Sequence, residues 1–325
     1  MKPQTPPRQG RLLFLGKVLV SGLLLALLFW RVDRAAFLRS VQALPLPVYL
    51  GCVGLYTLGY LISTVRWQRL LAAEGICLPL WHLTLVYFQA GFFNLFLPTL
   101  IGGDIVRGYS IYRITRGHDA SIASILVDRL SGFAALVAIA LVALAVAHRR
   151  LQDSQVTYMI LTVAAAFAAG MTLLLNDRVK SRGTGVLRLM GLARFQAKVQ
   201  GLMDAIQRYR RHHRALGQAF ILSVLLQALI IVTYYLIAAS LHLGVPLAYF
   251  FLYVPLITVV AMLPVSVAGL GVREGGVVYF FSKVGVEPAI ALSMSLVWFS
   301  LSLAVSSLGG LTFLLDTRAA KRLGD

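Results

Sequence analysis

Six runs of mostly apolar residues limit what this chain can become. They lie at 12–30, 46–65, 121–147, 156–175, 216–241 and 288–315. Each has the length, about 20 residues, that lets a helix cross the hydrocarbon of a bilayer. Lipid offers no partner for backbone N–H and C=O groups, so a span must satisfy them internally, as a helix does. The 325 residues are 59% hydrophobic and 13% charged, and no stretch of ordinary size is left over for a soluble domain. The chain therefore reads as an all-α polytopic integral membrane protein, with residues 1–325 forming a single membrane domain. The first run, 12–30, is interrupted only by Lys17 and ends F-W-R-V-D-R without a small-residue cleavage site. That pattern predicts a retained signal-anchor helix.

Two further apolar segments, about 80–97 and 247–263, each run into Leu-Pro and then into glycine-rich, charged sequence. The first reads N-L-F-L-P-T-L-I-G-G-D-I-V-R-G-Y and carries Pro98, Gly102, Gly103, Asp104 and Arg107. The second reads L-P-V-S-V-A-G-L-G-V-R-E-G-G and carries Pro264, Gly269, Gly271, Arg273 and Glu274. Non-helical backbone at membrane depth is tolerated only where protein or a water-filled cavity surrounds it. Two readings follow for the first segment. Either it is a broken hairpin that re-enters the membrane, or Pro98 ends one helix and Asp104 caps the next at the surface.

Lysine and arginine placement separates these readings. With a cytoplasmic N-terminus and both segments re-entrant, the cytoplasmic side holds 1–17, 66–75, 107–118, 176–215 and the C-terminus, which contain 22 of the 30 Lys and Arg. A full crossing by 80–97 moves Arg107, Arg113 and Arg116 to the other side. The expected architecture is six full transmembrane helices plus two broken re-entrant hairpins, with both termini cytoplasmic.

The same two segments align when the chain is slid on itself. Leu97-Pro98 falls on Leu263-Pro264, Gly103 on Gly269, and Arg107 on Arg273. The register also carries span 121–147 onto 288–315. Charge placement starts one unit outside and the other inside. Residues 46–147 and 216–315 therefore read as inverted repeats, and 156–215 as a linking helix followed by a cytoplasmic amphipathic loop. Inverted repeats with broken helices at matching positions mark secondary transporters, whose site lies near the midplane.

The ionisable residues inside these segments are candidate site residues. Asp104 and Arg107 can share a helix face. Arg273 and Glu274 sit among glycines that let backbone approach a ligand. Helices that restart after a break present N–H groups and partial positive charge to anions. An arginine fork beside them suits phosphate. Asp128 and Arg129 lie some 12 Å into their span at about 1.5 Å per residue. They are either part of the transport site or a structural ion pair, Asp128 with Arg107 or Arg129 with Glu274. Arg66, at the end of 46–65, is expected to snorkel to the interface. Ser121, Ser124 and Ser131 at helical spacing suggest helix packing.

In the loop, Leu192, Phe195, Val199, Leu202, Ile206 and Tyr209 recur at helical spacing, which predicts an amphipathic helix lying on the membrane surface. Residues 186–214 are thus expected to meet anionic lipid. The net charge of +18 is assigned to such loops and not to nucleic acid. No nucleophile constellation, phosphate-binding loop or metal-ligand spacing appears in the sequence. No cofactor, metal or enzymatic step is expected.

F-N-L-F-L-P-T-L-I-G-G-D-I-V-R-G-Y and L-P-V-S-V-A-G-L-G-V-R-E-G resemble the two signature stretches of the lysylphosphatidylglycerol synthase transmembrane-region family. The likeness covers about residues 10–316. It implies a flippase-like protein of the cytoplasmic (inner) membrane that moves a polar, phosphate-bearing lipid, aminoacylated or not, between leaflets. By the same likeness Gly102, Gly103, Asp104 and Arg107 occupy the first motif. Pro264, Gly269, Gly271, Arg273 and Glu274 occupy the second. Bifunctional members carry a soluble acyltransferase-like domain. This sequence stops at Asp325 without one, so synthase activity is not expected. Two other readings stay open. One is an accessory subunit or enzyme acting with a separate glycosyltransferase on lipid-linked sugars, and the other is a small-solute transporter. Expected partners are the lipid itself and either a second copy of the chain or a separate lipid-modifying enzyme.

Overall fold

The computed structural model describes residues 42, 44–96, 102–115, 118–147, 153–176, 203–262, 266 and 269–322. The proposed first span 12–30, Pro98, Pro264 and most of the 176–215 loop lie outside these residues. The described residues are mainly helical, without a strand among them. In chain order the helices are α1 Leu46–Ala73, α2 Leu80–Phe96, α3 Gly102–Thr115, α4 His118–Ala147, α5 Ser154–Leu175, α6 His213–Ser240, α7 Leu247–Ala261, α8 Val272–Ser282 and α9 Pro288–Arg322. A short helical segment, 203–208, and a 3-10 turn, Tyr209–Arg211, precede α6.

Among the described residues five helices, α1, α4, α5, α6 and α9, are long and apolar enough to cross a membrane. They match five of the six expected spans. The protein is thus a multi-pass membrane protein. The described parts of the two Leu-Pro segments form the helix pairs α2–α3 and α7–α8.

Helix α1 runs past residue 65 to Ala73. The reason is visible in its last two turns, where Trp67, Leu70 and Leu71 are all fully buried. Trp67 and Leu71 join Leu83 and Val86 of α2, Ile111 of α3 and Ile125 of α4 in one apolar cluster. Burial of Trp67, Leu70 and Leu71, each contributing about 1.5–3 kcal/mol, holds the extra turns helical.

Contacts divide the chain into two compact units. Unit 1 comprises residues 1–57, 88–106 and 231–325; unit 2 comprises 58–87 and 107–230. Within unit 1, α8 packs on both α7 and α9. An aromatic cluster fills this unit: Trp298 stacks on Tyr234 at 4.4 Å and meets Tyr56 edge-on at 5.3 Å. Within unit 2, α4 packs on α5, and Phe133 lies 5.1 Å from Phe167.

Glycine sets the approach of each restarted helix. A Cβ on Gly103 would fall 2.4 Å from the Ala90 carbonyl oxygen and 2.6 Å from Asn94 Nδ2. Only glycine lets α3 begin this close to α2, and the Gly103 N–H donates to Asn94 Oδ1 at 2.7 Å. At the aligned position, Gly269 has φ +73°, and a Cβ there would lie 3.1 Å from the Ala261 carbonyl oxygen. The shared register thus marks the same device, a glycine pressed against the carbonyl of the preceding helix. The arginines are not equivalent in the same way. Arg107 is the sixth residue of α3, whereas Arg273 is the second of α8.

Candidate functional site

The described segments bring together three charges that sequence separates widely. Asp128 projects from α4, and its carboxylate accepts from two arginines. Arg66 of α1 donates from Nε to Oδ1 at 2.6 Å, and Arg107 of α3 donates from a terminal nitrogen to Oδ2 at 2.9 Å. The three side chains are 7%, 5% and 2% exposed for Arg66, Arg107 and Asp128. The group is therefore buried, inside a helical unit of a membrane protein, with two cations to one anion. All three residues belong to unit 2.

A polar and aromatic lining holds the cluster in place. Arg66 donates a second hydrogen bond, 2.9 Å, to Ser223 Oγ of α6. Ser223 and Ser131 Oγ lie 3.2 Å apart, and Ser131 bonds the Asp128 carbonyl. The Arg107 guanidinium carbon sits 4.2 Å from the Trp67 ring centroid and 4.5 Å from that of Tyr87. Cation–π attraction of this kind strengthens as water is excluded. The Trp67 indole N–H is itself fixed by Ser124 Oγ at 3.2 Å. Gly132 of α4 lies beside the guanidinium of Arg66, where a Cβ would sit in ordinary contact, 3.5 Å, with its Nη1. Ser121, Ser124 and Ser131 thus serve helix contacts, as their spacing suggested; Ser121 bonds the Gly108 carbonyl of α3.

Arg66 does not snorkel to the interface, which corrects the expectation from sequence. It is buried and faces Asp128 because α1 continues as a helix beyond it. Of the two ion pairs the sequence allowed for Asp128 and Arg129, the Asp128–Arg107 pair forms. Arg129, next along α4, is exposed. Asp104 is half-buried in the first turn of α3.

The second motif builds a different object. Glu274 is fully buried, and its Oε1 accepts from the adjacent Arg273 at Nε, 3.0 Å, and from a terminal nitrogen. Its Oε2 accepts the Gly271 N–H at 2.6 Å, which closes the first turn of α8 as a capping glutamate does. Ser295 of α9 donates to Oε1 at 3.3 Å. Arg273 also lies 5.5 Å over the Phe299 ring. This is a balanced pair that fastens α8 to α9, one cation for one anion. Gly271 makes it possible by adopting φ +83°.

Sequence reasoning missed Arg66, Ser223, Trp67 and Tyr87 as neighbours of the site. One signal was present: Ser63, Arg66, Trp67 and Leu70 recur at helical spacing and continue the buried face of α1.

The amphipathic stripe also needs correction at its described end. Ile206 and Tyr209 face protein and not lipid. They pack with Ala205, Leu70, Ala123, Val127 and Ala219, and Tyr209 is 1% exposed. Its hydroxyl donates to the Leu70 carbonyl at 3.0 Å. Leu192, Phe195, Val199 and Leu202 lie outside the described residues.

A family model described as "Lysylphosphatidylglycerol synthase TM region" matches residues 14–310. No curated protein and no solved structure gives a match.

Proposed function

Since the chain belongs to the lysylphosphatidylglycerol synthase transmembrane-region family, we propose that it moves a polar, phosphate-bearing lipid between the leaflets of the cytoplasmic membrane. The observation that carries this reading is the buried cluster of Arg66, Arg107 and Asp128. A charge inside a membrane is costly unless it is paired or used. Asp128 is shared between the two arginines, which aims both guanidinium forks at one place. A lipid phosphate is the anion that a membrane supplies in greatest amount, and arginine forks match its oxygens. Family membership supports a lipid-related role, and the five long apolar helices support placement in a bilayer.

In this mechanism Arg66 and Arg107 hold the phosphate while Asp128 keeps both forks aimed at it. Trp67 and Tyr87 shield the Arg107 side from water. Acyl tails stay in lipid, and the head group alone passes the buried charges. No bond is made or broken, so the protein acts as a translocase and not as an enzyme. We assign the Arg273–Glu274 pair to holding α8 against α9, because its charges already cancel. The two Leu-Pro hairpins are re-entrant, and both termini are cytoplasmic.

The test is phospholipid movement in liposomes reconstituted with purified protein. Arg66→Gln and Arg107→Gln should each slow the movement of a fluorescent phosphatidylglycerol by tenfold or more. Transport at the wild-type rate in both variants overturns the assignment. An Arg273→Gln/Glu274→Gln double variant, which removes both charges together, should keep most of the rate if it folds.

A further inference from the structure

The segment leading into the first turn of α6 reads R-Y-R-R-H-H-R, residues 208–214, and its apolar side is already occupied. Ala205, Ile206 and Tyr209 are buried in unit 2, with Tyr209 bonded to the Leu70 carbonyl. Seating these residues turns the rest outward. Arg208, Arg210, Arg211 and Arg214 are all exposed, and so are His212 and His213. Among the described residues, Arg210, Arg211 and Arg214 have no acidic partner. Arg208 reaches back to Glu74 Oε2 at 3.1 Å, with its own side chain 49% exposed. Glu74 is otherwise enclosed, 7% exposed, and its Oε1 has no hydrogen-bond partner.

We propose that residues 208–214 form a docking face for anionic lipid head groups, held by charge alone. Two features select this partner. The face abuts His213–Ser240, a candidate membrane span, so it lies within about one or two helical turns of where that span begins. Head groups are always present at that level. A membrane-surface helix binds by inserting its apolar side, but here that side is committed to protein. What remains is an array of arginine forks, suited to phosphate oxygens and unsuited to insertion. Glu74 acts as an internal competitor, because it draws Arg208 toward the protein. This face shares no residue with the Arg66–Arg107–Asp128 cluster, so its failure in test leaves the transport reading standing.

The measurement is the relative association of spin-labelled phosphatidylglycerol and phosphatidylcholine with the full chain in bilayers. Each arginine near an anionic surface is worth roughly fivefold. Wild type should favour phosphatidylglycerol by at least about fivefold at low salt. The preference should fade as salt shortens the screening length from about 10 Å at 0.1 M toward 3 Å at 1 M. Replacing Arg210, Arg211 and Arg214 together by Gln should bring the preference close to one, while replacing them by Lys should retain most of it. Glu74→Gln should raise it, by freeing Arg208. An unchanged preference in the Gln triple variant overturns the proposal, and so does a lack of preference in wild type. A loss of preference on Glu74→Gln also overturns it, since that result makes Arg208 a strut and not a lipid contact. Phospholipid movement in purely zwitterionic liposomes should stay at the wild-type rate in the Gln triple variant.

Discussion

Replacing Asp128 with asparagine keeps the shape of the side chain and removes the charge that two arginines share. The buried cluster then goes from a net charge of +1 to +2. Two hydrogen bonds to a charged acceptor are weakened, at 2.6 and 2.9 Å. Each such bond contributes about 1.5–3 kcal/mol, which gives about 3–6 kcal/mol for the pair. That agrees with the 3–5 kcal/mol typical for breaking a buried ion pair by removing one partner. At about 2 °C per kcal/mol for a large domain, the apparent unfolding midpoint should fall by roughly 6–10 °C. The assay is thermal unfolding of the purified protein at one fixed scan rate, because membrane proteins rarely unfold reversibly. Charge arithmetic supplies a sharper check. Adding Arg66→Gln to Asp128→Asn returns the cluster to +1, so the double variant should be more stable than Asp128→Asn alone. A midpoint for Asp128→Asn within 2 °C of wild type refutes the reasoning. A double variant that falls by the sum of the single losses also refutes it, since coupled charges must show a cycle energy.

Three other outcomes follow from particular contacts. Gly103→Ala should destabilise by about 1–3 kcal/mol, because its Cβ would overlap the Ala90 carbonyl, whereas Gly51→Ala, with nothing within 4 Å, should be neutral or slightly stabilising; a pair of equal midpoints is the adverse result. Burial pushes the Tyr209 hydroxyl above its ordinary value of 10.0. Its neutral form is thus favoured by folding, and the stability it contributes is full below pH 10 and lost as pH rises above that. Tyr209→Phe should therefore lower stability by about 1 kcal/mol near neutrality and flatten its decline between about pH 10 and 12, as read by unfolding midpoints across that range. Cys77 is exposed and Cys52 buried, so a membrane-impermeant maleimide should label only Cys77, and only from the cytoplasmic side; labelling from the opposite face contradicts the proposed orientation.

The division between what was legible and what was not follows from the range of the forces involved. Hydrophobic length is a local property, so 121–147, 156–175, 216–241 and 288–315 could be located along the chain as spans. Glycine's role is also local, and aligning Gly103 with Gly269 pointed to two helix restarts that share one device. A charged residue at the end of an apolar run is different. Arg66 can reach water, or it can find an aspartate 62 residues away, and the local sequence is the same in both cases. Likewise, the spacing of Ile206 and Tyr209 announces an apolar stripe but does not say what the stripe will touch. Packing decided both questions. The continuation of α1 to Ala73 placed Arg66 opposite Asp128 and offered Leu70 to Tyr209. Sequence by itself therefore determined that this is a helical, multi-pass membrane protein. Tertiary structure decided that the first motif's arginine shares a distant aspartate with a second arginine, while the second motif's arginine pairs with its own neighbour. The reason is physical: the cost of a buried charge depends on partners that only folding brings within hydrogen-bonding distance.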